Sequence, residues 1–159
     1  MPATCPLPDA AKVMSLLGLL FDGLDVKPGG TFDRTLAGGA WLGVFVSDTG
    51  VPIALCGADL NLAANWGAAL SMLPPAAAKE AVKSRELTGV MIDNSREIMN
   101  IATRLVMSDS SVHLKLEQIY PVKALPAAAA ALWQKPGAHA EFQVQVPKYG
   151  GGMLTLLSS

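Results

Sequence analysis

The stretch Asp93-Asn-Ser-Arg-Glu97-Ile-Met-Asn100-Ile-Ala-Thr-Arg104 carries two patterns at once. Placed at about 100° per residue with Asp93 at zero, Glu97 falls at about 40°, Asn100 at about 340° and Arg104 at about 20°, so four polar residues share one narrow helical stripe. Leu87, Met91, Ile98, Ile101, Ala102 and Leu105 gather between about 80° and 180° on the same wheel, the side that turns to a core. The polar ridge then faces outward. Ile92 and Met99 lie at about 260° and 240°, across the ridge from that core, where they read as an apolar rim suited to protein docking.

Outward from this segment, a helical pattern runs from about Ala76 to Met107, with Gly89 able to bend or divide it. Before it, Asp59 or Asn61 opens a helix to about Met72 that Pro74-Pro75 ends. Upstream again, Trp41 to Val46 and Val51 to Cys56 read as two strands joined by Ser47-Asp48-Thr49-Gly50, the clearest hairpin of the chain. Asp9 can cap a first helix over about Ala10 to Phe21, which Asp22 to Gly30 stops. Downstream, strands are expected at about Val112 to Tyr120, Ala140 to Val146 and Met153 to Leu157, the last after the turn Tyr149-Gly-Gly-Gly. Ala124 to Trp133 is a short packed helix. This mixture predicts an α+β fold, a largely antiparallel sheet packed with helices.

Composition agrees with one domain over residues 1–159. Hydrophobic residues make up 51% of the chain and charged residues 16%, enough to build a sizeable core and too apolar for a disordered tail. Net charge is -1, with 12 Lys and Arg scattered among 13 Asp and Glu, so no row of nucleic-acid phosphates would be neutralised. Cys5 and Cys56 form no C-x-x-C pair and read as reduced thiols. The N-terminal MPATCPLPDA lacks a basic n-region, and neither Val13 to Phe21 nor the alanine-rich segment reaches the roughly 20 apolar residues of a membrane span. Neither membrane insertion nor secretion is expected, and the chain reads as cytoplasmic. Phosphate loops, nucleophile elbows and metal-ligand motifs are lacking. His113, in an alternating strand, and His139, next to a Pro-Gly turn, read as structural or solvated, and Glu80 and Glu86 lie among Lys79, Lys83 and Arg85 as an ordinary solvated helix face.

The D-x-x-x-E-x-x-N spacing of Asp93, Glu97 and Asn100, followed by Ile101, resembles the signature of the CheC/CheX phosphatases of bacterial chemotaxis. The resemblance extends over most of the chain: a first helix, then Leu24-Asp-Val-Lys-Pro-Gly, the Gly43-Val-Phe-Val hairpin, the motif helix and C-terminal strands. Pro121, separated from Asn100 by 20 residues, sits close to the family's proline spacing. Two-site CheC-like members carry a second motif near the N-terminus; here Asp9, Val13 and Leu16 occupy those places, so the single-site CheX-like branch is the better match. Relatives often have glycine where Met99 precedes Asn100, and that bulk is expected to crowd an approaching partner.

The resemblance implies a phosphatase acting on the aspartyl phosphate of a CheY-like response-regulator receiver domain. Catalysis would rest on Glu97 and Asn100. The Asn100 carboxamide can hold the attacking water without changing charge, and Glu97 can anchor a receiver lysine by a charge-assisted contact. Asp93, Arg104, Ile92 and Met99 would meet the partner. No cofactor of the chain's own is implied, Mg2+ being carried by the receiver. A homodimer is expected, both by analogy with CheX-like relatives and because an antiparallel sheet leaves edges to cover. The alternative is a non-catalytic receiver-binding or scaffold domain of the same fold. A third reading, an unrelated small-molecule-binding α+β domain, would require a deep apolar pocket and leave the ridge unused.

Overall fold

Asp9 and Asp59 open two helices by the same device. The Asp9 carboxylate accepts from the Lys12 backbone N–H at 2.8 Å, and that of Asp59 from Leu62 at 2.8 Å, which satisfies donors no helix can satisfy internally. In the computed structural model, which describes residues 5–159, these helices are α1 (Ala10–Leu17) and α2 (Leu60–Leu70). Residues 1–4, where the N-terminal segment considered above for a leader begins, lie outside the described residues.

The remaining elements are β1 (Asp25–Pro28), β2 (Trp41–Val46), β3 (Pro52–Ala58), α3 (Pro75–Ser84), α4 (Gly89–Ala102), β4 (Lys115–Pro121), α5 (Ala127–Gln134), β5 (Ala138–Val146) and β6 (Gly150–Ser158). The six strands form one sheet in the order β1-β5-β6-β3-β2-β4, and every neighbouring pair is antiparallel. The fold is α+β as expected from the sequence. One face carries α1 to α4 over a core that includes Val13, Leu17, Phe45, Cys56, Trp66, Met91, Ile98, Leu154 and Leu156. The other carries α5, whose Ala129, Leu132 and Trp133 pack with Phe32, Leu42, Val44, Leu55 and Leu157.

The expected hairpin is β2–β3, and α5 is the expected alanine-rich helix. The helical pattern of 76–107 is divided at Gly89, as its sequence allows: Arg85 takes a left-handed conformation (φ 58°) that ends α3, and Thr88 caps α4, which begins at Gly89, by accepting from Met91 N at 3.3 Å. Two expectations need correction. Glycines 150–152 are not the turn but the first residues of β6, the turn lying at Pro147 to Tyr149 with Lys148 at φ 73°. Gly152 has to be bare, because a side chain there would collide with Leu62 at the start of α2. Finally, Asp25–Pro28, read as a stop, forms the edge strand β1 beside β5.

Candidate functional site

The ridge exists, and α4 displays most of it. Asp93, Glu97 and Asn100 are exposed on α4, and Arg104 is exposed on the 3-10 turn, Thr103–Val106, that follows it. The segment is helical because Thr88 caps it, and because its opposite side is fixed to two different surfaces. Against α2, Met91 comes so close that a Cβ added to Gly67 would fall 2.9 Å from its Cα. Trp66 donates its indole N–H to Ser95 Oγ at 3.0 Å inside the core, and Asn94 donates to Gly67 O at 2.8 Å and Ser71 Oγ at 2.7 Å. Against the sheet, Met99 lies over Gly43 of β2.

That second contact corrects the sequence reading of the rim. Met99 is fully buried, with Ser95, Ile98 and Ala102 beside it, while Ile101 is only half-buried. The inward arc is therefore centred near Ser95, at about 200° on the same wheel, because α4 is wedged between α2 and the sheet rather than resting on one surface. Met99 cannot touch a docking partner, and it does not crowd Asn100. Ile92 is half-buried and remains at the surface.

Arg96 belongs to the site although nothing in its spacing singles it out. Its Nε donates to Gln118 Oε1 at 2.9 Å and its Nη1 lies 3.2 Å from Asp93 Oδ1. Asp93 is thus not a free carboxylate: its charge is matched within the ridge, though its side chain stays 74% exposed. Among the described residues no ion pair engages Glu97 or Arg104. Glu97 is the uncompensated anion of the ridge, Arg104 its uncompensated cation, and the Asn100 carboxamide lies between them. Gln118 was hidden from sequence reasoning because only the path of α4 alongside β4 brings it to Arg96. Pro121 ends β4, paired with Trp41 of β2.

At the N-terminal end of the ridge a groove of about 420 Å3 opens between Trp41, Leu87, Ile92, Pro121 and Val122, with Arg85 and Lys123 at its rim. A second cleft, of about 440 Å3, is lined by Asp25, Lys27, Asn61, Gln143, Gln145 and glycine backbone, which is not the deep apolar pocket a small-molecule reading requires. Among the described residues no group of three or more His, Cys, Asp or Glu side chains gathers where a metal ion could be held. In α1, at the positions of a second motif, Asp9 is spent as a cap and Val13 is wholly buried, so α1 offers no comparable ridge. No helix among the described residues is long and apolar enough to cross a membrane.

No family model and no curated protein matches the sequence. Solved structures do match the fold. A chain of the CheX-CheY-BeF3-Mg2+ complex from Borrelia burgdorferi superposes with a TM-score of 0.55 at 14% identity, over 94% of this chain and 92% of that one. Thermotoga maritima FliY gives 0.51 at 11% identity, over 94% and 81%. A chain of the FliM-SpeE complex from H. pylori gives 0.50 at 9% identity, over 94% and 78%. The chain therefore has the CheC/CheX-type fold, shared by these chemotaxis and FliM/FliY structures.

Proposed function

We propose that this domain is a single-site, CheX-like phosphatase for the aspartyl phosphate of a CheY-like receiver domain, working in the cytoplasm as a homodimer. The observation that carries the reading is the exposure of Glu97 and Asn100 side by side on α4, in a fold shared with a chain of a CheX-CheY complex. The reaction asks little of the protein. Water attacks phosphorus, the bond from phosphorus to the aspartyl carboxylate oxygen breaks, and aspartate and inorganic phosphate are released. The barrier falls chiefly when the water is held in line.

Asn100 suits that role because a carboxamide oxygen can accept from the water without itself titrating. Glu97, with no cation of its own domain to pair with, is available to a partner's ammonium group, and Arg104 to an anionic group further along the same helical line. Mg2+ would be carried by the receiver. The same exposed ridge would serve a second reading, a domain that docks a receiver and leaves its phosphate intact. Phosphate release from a panel of phosphorylated CheY-like receivers, with and without the protein, separates the two. Accelerated release from at least one supports the enzyme, whereas tight binding with unchanged lifetimes establishes the scaffold. Sedimentation at micromolar concentration giving only a 16.5 kDa species would remove the dimer.

A further inference from the structure

We infer that the groove between Trp41, Leu87, Ile92 and Pro121 is a second anchor point for the same partner, taking a segment that presents an apolar side chain followed by a carboxylate. The inference rests on the receiver-binding reading of the ridge and adds to it the chemistry of the partner's second contact. Three observations carry it.

The groove is continuous with the ridge. Ile92, which forms part of its wall, immediately precedes Asp93, and Pro121 and Gln118 lie on the one strand that α4 follows. About 7.5 Å of helix axis separates Ile92 from Glu97, and about 80° of helix circumference separates Ile92 from Asn100. Its character differs from the ridge: Trp41, Leu87, Ile92 and Pro121 bring apolar surface among the charged Arg85, Glu86 and Lys123, and Leu36, also lining it, is 68% exposed with no core to enter. Apolar surface of this kind beside a polar site is the usual make-up of an interface centre and its rim.

Charge selects the occupant. Lys123 and Arg85 stand at the rim against the single carboxylate of Glu86. The Arg85 guanidinium is tied to the carbonyl of Ala37, which fixes the 36–38 turn as one wall, while no ion pair among the described residues engages Lys123. An acidic, apolar-tipped segment is complementary to this arrangement; a basic one is not. The partner would thus be read at two points of opposite sign, a cation on Glu97 and an anion on Lys123, which fixes its orientation over Asn100.

Leu36→Ser and Lys123→Glu test this without touching the core, since both side chains are exposed. Binding of receivers charged with beryllofluoride and Mg2+ is measured together with phosphatase kinetics. The double variant should bind at least about tenfold more weakly, raise KM and leave kcat unchanged, and Lys123→Arg should keep the native affinity. Unchanged affinity in the double variant, where Glu97→Ala does weaken binding, overturns the groove and leaves the proposed function standing. A change in self-association of the double variant with receiver affinity unaltered assigns the groove to a second copy of the chain instead, and so overturns the inference. If the native protein neither binds nor dephosphorylates any receiver, the proposed function itself fails and takes the groove's assignment with it.

Discussion

Met99 occupies the space that a side chain at Gly43 would need: a Cβ placed on Gly43 would lie 3.0 Å from Met99 Sδ and 3.3 Å from Met99 Cβ. The residue before Asn100 is therefore the bolt that fastens the ridge helix to β2. Met99→Gly should lose stability by about 3–5 kcal/mol, the cost of emptying a buried methionine site plus that of a glycine within a helix. It should not raise activity, because nothing is cleared from the exposed face. Met99→Leu should cost less than about 1.5 kcal/mol. Gly43→Ala alone should destabilise, and Gly43→Ala with Met99→Ala should be less damaging than the two single effects added. Denaturant melts of these variants and of Met99→Ala alone measure this, and strict additivity would show that the two residues do not share a site.

Gln118 does two things at once. Its Oε1 accepts from Arg96 Nε and, at 3.1 Å, from the backbone N–H of Ile119. Because β4 is an edge strand, that N–H would otherwise be open to another chain, and Pro121 contributes none. Gln118→Ala should leave stability within about 1 kcal/mol, as exposed polar contacts contribute little. It should nevertheless increase self-association seen by sedimentation or light scattering, with Arg96→Ala intermediate. Identical behaviour of Gln118→Ala and the native protein across the concentration range would remove this edge-guarding role.

The polar ridge could be read before the fold was known, because Asp93, Glu97, Asn100 and Arg104 recur at a spacing that only a helix brings into line. Caps were legible for the same local reason, Asp9 and Asp59 standing just before apolar helical runs. Met99 could not be read locally: its burial depends on a glycine in another strand. Nor could Arg96, whose partner Gln118 becomes a neighbour only through the placing of α4 along β4. The edge strand β1 escaped because Asp25-Val-Lys-Pro buries only Val26, too little for an alternating signal, and Gly150 to Gly152 suggested a turn when the bare backbone serves the approach of α2.

Asp59 predicts a pH dependence. Burial raises its carboxyl above the ordinary aspartate range, outweighing the backbone N–H groups of Leu62 and Met153 that favour the anion. A carboxyl raised on folding holds its proton longer in the native state than in the unfolded one, so its contribution is present below the unfolded value of about 3.9 and is lost as pH rises through the folded one. Asp59→Asn keeps the cap acceptor without the buried charge. Its melting temperature, compared with that of the native protein, should therefore gain as pH rises through the carboxylate range and hold that gain at neutrality. Asp59→Ala should lie about 1 kcal/mol below Asp59→Asn at every pH, since neither replacement titrates and only the cap acceptor is lost. A difference between Asp59→Asn and the native protein that does not vary with pH would show that the charge is not penalised.

Glu97 and Asn100 share a stripe but are asked for different things, and kinetics on a phosphorylated receiver should separate them. On the proposed mechanism the Asn100 carboxamide would be needed only where the water attacks, so Asn100→Ala should abolish accelerated dephosphorylation and leave receiver affinity close to native. Glu97 would meet its ammonium partner in the ground state and the transition state alike. Glu97→Ala should then weaken binding by about 1–3 kcal/mol, the worth of a charge-assisted hydrogen bond, and reduce turnover as well. Glu97→Gln keeps the shape without the charge and should fall between native and alanine in affinity. Both side chains are exposed, so thermal melts should be nearly unchanged and any loss can be assigned to the surface rather than the fold. Full phosphatase activity in Asn100→Ala would end the water-positioning role, and unaltered affinity in Glu97→Ala would move the anchor elsewhere, Arg104 being the next charged residue of the ridge to test.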